Sequence, residues 1–155
     1  MERTGGAVAE LLYQFERSGW QVAECSLTLI DEVDREDRGG RLRAVLTELV
    51  HDITRLMRLQ AACSGIDGPC VVEAMLPDGT PLEIDEVVPP VRAAMRALLA
   101  SYNDCPEDVD DQIDLVLCAE RPSAVRAVLV LLNLACDLNR WCQAHEPTPP
   151  GSVIG

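Results

Sequence analysis

The stretch from Ser123 to Trp141 sets the strongest limit on how this chain can fold. Between Ala124 and Leu138 only Arg126, Asn133 and Asp137 are not apolar. At roughly 100° per residue these three and Arg140 lie within about 60° of one another, so one narrow polar stripe runs down an otherwise apolar cylinder. A helix of that kind must be covered on most of its surface. A membrane span needs ~20 mostly apolar residues, and here the polar residues interrupt a run that is too short. The pattern therefore predicts a buried core helix around which the rest of the chain packs.

A chain of 155 residues suits one domain with a single core, large enough to fold without a disulfide or metal staple. Aromatic residues make up 3% of the chain, so the core must come from aliphatic packing between helices. From Val8 the apolar positions Val8, Leu11, Leu12, Phe15, Val22, Leu29, Ile30 and Val33 keep one helical phase across Ser18 and Gly19. This predicts a long helix over 6–34, kinked or closely approached at Gly19, against rivals of two shorter helices or a strand over 22–30. Asp34 to Gly40 is a charged turn. Leu42, Val45, Leu46, Leu49, Ile53, Leu56 and Met57 then define a second amphipathic helix that ends near Gly65. A short connection makes these two helices an antiparallel hairpin.

Residues 65–88 change character. Val71 to Leu76 and Leu82 to Val88 flank Pro77, Asp78, Gly79 and Thr80, which suits either a small β-hairpin at 70–88 or an ordered loop. Pro90 fits the first turn of a third helix, with Val91, Met95, Leu98 and Tyr102 on one face and Ala93, Ala97 and Ala100 on the other. Asp104 and Pro106 offer a start for a fourth helix, and Pro122 or Ser123 for the central fifth. The expected fold class is thus mainly all-α. It is a five-helix bundle with an N-terminal helical hairpin and a central, buried C-terminal helix. It forms one domain over 1–146, followed by an extended or disordered tail over 147–155 that contains Pro147, Pro149, Pro150 and Gly151.

Charge narrows the function classes. With 26 acidic and 13 basic residues the formal charge is -13, which repels nucleic-acid phosphates and anionic lipid heads, so direct binding to nucleic acid or membrane is not expected. Every basic residue is Arg, which excludes lysine Schiff bases and Walker-type phosphate loops. Lysine avoidance fits a GC-rich coding sequence of actinobacterial or phage type. Seven cysteines with no C-x-x-C pair read as reduced packing thiols. Glu2 and Arg3 before two glycines lack the apolar core of a signal peptide, so a cytoplasmic location is expected.

Two charged groups could carry function. On the fourth helix Glu107, Asp111 and Asp114 share a face opposite Val109, Ile113 and Val116. Oxygen ligands of this kind suit magnesium, but acids also collect at helix N-termini because they complement the dipole. The all-α nucleotide pyrophosphohydrolases set acidic motifs on two neighbouring helices. Here no second set is obvious beyond Asp31 with Asp34 at a helix end, and the chain is not assigned to that family.

On the second helix Arg43, His51, Arg55 and Arg58 gather away from the apolar stripe. This basic face could bind an acidic partner or a phosphate-bearing ligand, could dock internally on the acids of the fourth helix, or could simply be solvated. With two histidines in the chain, a histidine metal site or catalytic triad has little to work with. Asp137 on the central helix has no legible nucleophile and base around it.

The expectation drawn from these features is a non-enzymatic interaction module, a small acidic helical regulator, adaptor or inhibitor encoded by a phage or mobile element. It needs no cofactor, binds another protein through Arg43, His51, Arg55 and Arg58, and has homo-oligomerisation open to it. The alternatives are a magnesium-dependent phosphohydrolase using Glu107, Asp111 and Asp114, and a nucleic-acid mimic that offers its acidic surface to a DNA-binding protein.

Overall fold

Helix boundaries in this chain are set by proline and glycine. The computed structural model describes residues 13, 17, 40–65, 74–75, 80–82 and 87–145. Among these, helices α1 (Arg41–Cys63), α2 (Pro89–Tyr102), α3 (Pro106–Leu117) and α4 (Arg121–Ala144) account for most positions. α2, α3 and α4 each carry Pro in their first two positions, where the missing N–H would have had no helical partner. Just past the end of α1 and its C-cap Ser64 comes Gly65, whose φ of 65° is the left-handed conformation that glycine adopts without a Cβ penalty. Tyr13 and Arg17 are helical. The rest of the long helix expected over 6–34, its pairing with α1, and the tail over 147–155 lie outside the described residues.

α2 ends differently, on Asp104 at φ 57°. The Cys105 N–H donates to the Ala100 carbonyl at 2.8 Å and the Asp104 N–H to that of Ser101 at 3.2 Å, the paired bonds of a Schellman ending. Asp104 is therefore the left-handed close of α2 rather than the cap of α3 that its place before Pro106 suggested. The N-cap of α3 is Cys105, with no side-chain cap. Asp tolerates this backbone better than most L-residues, and the turn holds its carboxylate beside the start of α3.

The core is one cluster drawn from all four helices. α1 contributes Leu42, Val45, Leu46, Leu49, Val50, Ile53 and Leu56, and packs on α4 and α2. α4 contributes the largest share, Val128, Leu129, Leu131 and Leu132 among them, while Arg126, Asn133, Asp137 and Arg140 are exposed along the expected stripe. By length and composition Pro122–Ala144 could also cross a membrane, with a mean hydropathy of 1.2, and 56% of that stretch is buried inside the bundle. In α2 the alanine face is the inner one: Ala93, Ala94 and Ala97 are buried with Leu98, whereas Val91 and Met95 are half-buried. Small side chains let the neighbouring backbones approach. Between α1 and α2, Ala74–Met75 and Pro81–Leu82 form an antiparallel pair, Ala74 opposite Leu82 and Met75 opposite Pro81.

Candidate functional site

The outer face of α1 divides its basic residues between two neighbours and solvent. Arg43, near the start, forms an ion pair with Asp114 of α3. His51 lies eight residues further, about 12 Å along the axis, and from there His51, Arg55, Arg58 and Leu59 make one exposed strip at helical spacing. The four basic residues named from the sequence are thus not one group. Arg43 turns to the acidic helix, as the internal-docking alternative required, and the other three gather where α1 passes the end of α2.

Arg58 closes that end. Its Nη2 donates to the carbonyls of Ser101 and Tyr102, both at 3.2 Å, and to Asp104 Oδ1 at 2.9 Å, while the guanidinium lies 5.7 Å from the Tyr102 ring centroid. The last carbonyls of a helix lack intrahelical partners and carry partial negative charge, which a cation complements. Beneath Arg58, Thr54 is the one buried polar residue of the described set. Its hydroxyl donates to the Val50 carbonyl at 2.7 Å, and its oxygen lies 2.9 Å from Ser101 Oγ. A hydroxyl has one proton, and a carbonyl can only accept. The second bond is therefore donated by Ser101, which leaves Ser101 Oγ with acceptor lone pairs and no proton to offer.

These groups line an open cavity of about 370 Å³ formed by His51, Thr54, Arg55, Arg58, Leu59 and Ser101. Arg55 has no ion-pair or hydrogen-bond partner among the described residues, and Leu59 is 46% exposed. Sequence reasoning found the three basic residues but missed Thr54, Ser101, Tyr102 and Asp104. A polar residue in an otherwise apolar stripe marked Thr54 alone, and contacts between residues 47 apart leave no local signal.

The acidic residues are arranged otherwise. Glu107, Asp111 and Asp114 are all exposed on α3, with Asp114 engaged by Arg43. Among the described residues no three His, Cys, Asp or Glu side chains gather as a metal site. Glu48 has its pKa raised, first by burial and then by the neighbouring charge of Asp52. Its Oε2 is enclosed with no hydrogen-bond partner, as is Oε1 of Gln112. Asp137 is exposed and lies 3.5 Å from Arg140. His145 stacks on Trp141, with ring centroids 4.0 Å apart, and its Nδ1 lies 2.8 Å from the Trp141 carbonyl, so Nδ1 carries the proton.

Among the described residues three of the five cysteines depart from the packing role expected of them, while Cys136 and Cys142 keep it. Cys136 is buried and Cys142 half-buried, but Cys63, Cys105 and Cys118 are exposed free thiols at helix ends. Their helical spacing could not reveal this because each stands at the first or last position around a helix, where the apolar phase no longer decides direction.

No family model matches the chain, and no curated protein or solved structure matches it either.

Proposed function

We propose that this protein is a small acidic helical interaction module, a regulator, adaptor or inhibitor, that docks another protein on the C-terminal half of α1. The reading rests on Arg55, an exposed guanidinium with no partner among the described residues, which stands beside exposed Leu59 in a chain of charge -13. Arginine presents paired donors on a planar group and is enriched at interface hot spots. A cation beside an apolar side chain offers both the orienting charge and the contact area that recognition needs. Arg58 walls the site and holds α2 in place, and His51 borders it.

The whole domain in this reading is a five-helix bundle. The helix expected over 6–34 would be its additional member, a reading supported by Tyr13 and Arg17, which are helical and whose side chains bond at 2.5 Å one turn apart. Free thiols on the surface suit a reducing compartment such as the cytoplasm. The module works without a cofactor.

A photo-crosslinking residue at Ala62, exposed one turn beyond Arg58, tests the docking face in the native host. The expected result is one discrete protein adduct that the same probe placed at Arg126, on the exposed stripe of α4, does not give. Identical adduct patterns at the two positions would refute a docking face on α1.

A further inference from the structure

The cavity between α1 and the end of α2 has the chemistry of a receptor for one acidic side chain of a polypeptide, and we infer that it binds a carboxylate on Arg55 while Ser101 accepts a backbone N–H from the same segment. The inference builds on the docking reading above and names the group recognised.

Local charge selects the class of ligand. Asp104 neutralises Arg58 at 2.9 Å, so the uncompensated cation in the lining is Arg55 alone. Asp52, one turn before Arg55, is not in the lining and forms no ion pair with it among the described residues. A site with one unpaired positive charge in a molecule of net charge -13 matches a monoanion. A phosphate dianion would leave a negative charge uncompensated and meet the repulsion of the whole protein twice over. Guanidinium binds carboxylate through two parallel N–H bonds.

Hydrogen-bond polarity selects the rest of the ligand. Ser101 has given its proton to Thr54 and presents only acceptor lone pairs to the cavity. A fully deprotonated anion such as sulfate offers acceptors only, and hydrogen phosphate carries its one O–H donor together with a second negative charge, whereas a peptide segment carries a donor N–H at every residue except proline beside the single charge of its acidic side chain. Leu59, exposed at the rim, supplies an apolar contact for the side chain next to the acid. Carboxylate on Arg55, N–H on Ser101 and an apolar neighbour on Leu59 together describe an acidic peptide segment.

The test is an NMR titration of the full-length chain with a blocked peptide holding one glutamate between leucines, its glutamine counterpart, and inorganic phosphate. The glutamate peptide should shift the Arg55 Nε–H, Leu59 methyl and Ser101 signals, and the glutamine peptide should bind several-fold more weakly. Arg55→Ala should weaken the glutamate peptide about fivefold, the upper range for an exposed ion pair, while Arg126→Ala should leave it unchanged. Equal binding of both peptides, competition by phosphate at equal concentration, or an unaffected Arg55→Ala variant would each overturn the assignment. Self-association that Arg55→Ala abolishes would overturn it too, because the occupant would then be a second copy of the chain. If the Ala62 probe captures a partner but the glutamate peptide does not bind, the carboxylate assignment falls and the docking face stands. If the peptide binds as described but the probe captures nothing specific, the site stands and the docking reading falls.

Discussion

Leu131→Ala separates a central α4 from a peripheral one, and the structure fixes its expected size. Leu131 is 1% exposed in the cluster shared by all four helices. The substitution deletes three carbons, worth ~2.4 kcal/mol at ~0.8 kcal/mol per buried methylene. A residual void of roughly 50 Å³ would add about 1.2 kcal/mol at ~24 cal/mol per Å³. The expected loss is thus about 3.5 kcal/mol, or a fall in Tm of ~7 to 14 °C for a chain of this length. Leu134, one turn along and half-buried, should lose only ~1 to 2 kcal/mol, because part of its surface already meets water. Urea unfolding followed by circular dichroism measures both, with an unchanged m-value confirming that the comparison is between two-state transitions. Equal losses at the two sites, or a loss under about 0.5 kcal/mol at Leu131, would refute the placement of α4 in the core, since surface substitutions fall within that range.

The Arg43 and Asp114 side chains are 43% and 54% exposed, so a double-mutant cycle on unfolding should give ~0 to 1 kcal/mol of coupling that shrinks in high salt; a salt-insensitive coupling of several kcal/mol would contradict the exposure. Asp104→Gly should be more stable than Asp104→Ala by ~1 kcal/mol in thermal melts, because both lose the bond to Arg58 while the φ of 57° penalises the Cβ that only alanine keeps. If alanine were the more stable of the two, the left-handed close of α2 would be wrong. Glu48 binds its proton more tightly folded than unfolded, so over the interval from the ordinary carboxylate pKa up to its raised value the native state holds more protons, and stability falls as pH rises. Glu48→Gln should remove that fall in pH-dependent urea midpoints and be neutral or stabilising near neutral pH, whereas a steeper fall in the variant would reverse the sign.

Helix existence and orientation were legible in the sequence because they depend on local periodicity. The stripe of Arg126, Asn133, Asp137 and Arg140 stands out from any covering of α4, and the apolar phase from Leu42 to Leu56 defines the inner face of α1 by itself. Proline at the starts of α2, α3 and α4 and glycine after α1 act through their own backbone geometry, which needs no partner. The mainly helical class follows from these features.

Tertiary structure decided what local pattern leaves degenerate. Arg43, His51, Arg55 and Arg58 are alike as positions on one helix, yet Asp114 of α3 engages the first, the end of α2 engages the last, and His51 and Arg55 stay without an ion-pair or hydrogen-bond partner among the described residues. Which face of α2 turns inward depended on how closely the neighbouring helices approach, and this favoured alanines over the larger Val91 and Met95. Asp104 served as a helix ending rather than a cap because two backbone bonds to Ala100 and Ser101 closed α2 first. The cavity is the plainest case: its walls come from residues 51–59 and 101, and the bond between Thr54 and Ser101 that sets its hydrogen-bond polarity exists only once the two helices have packed.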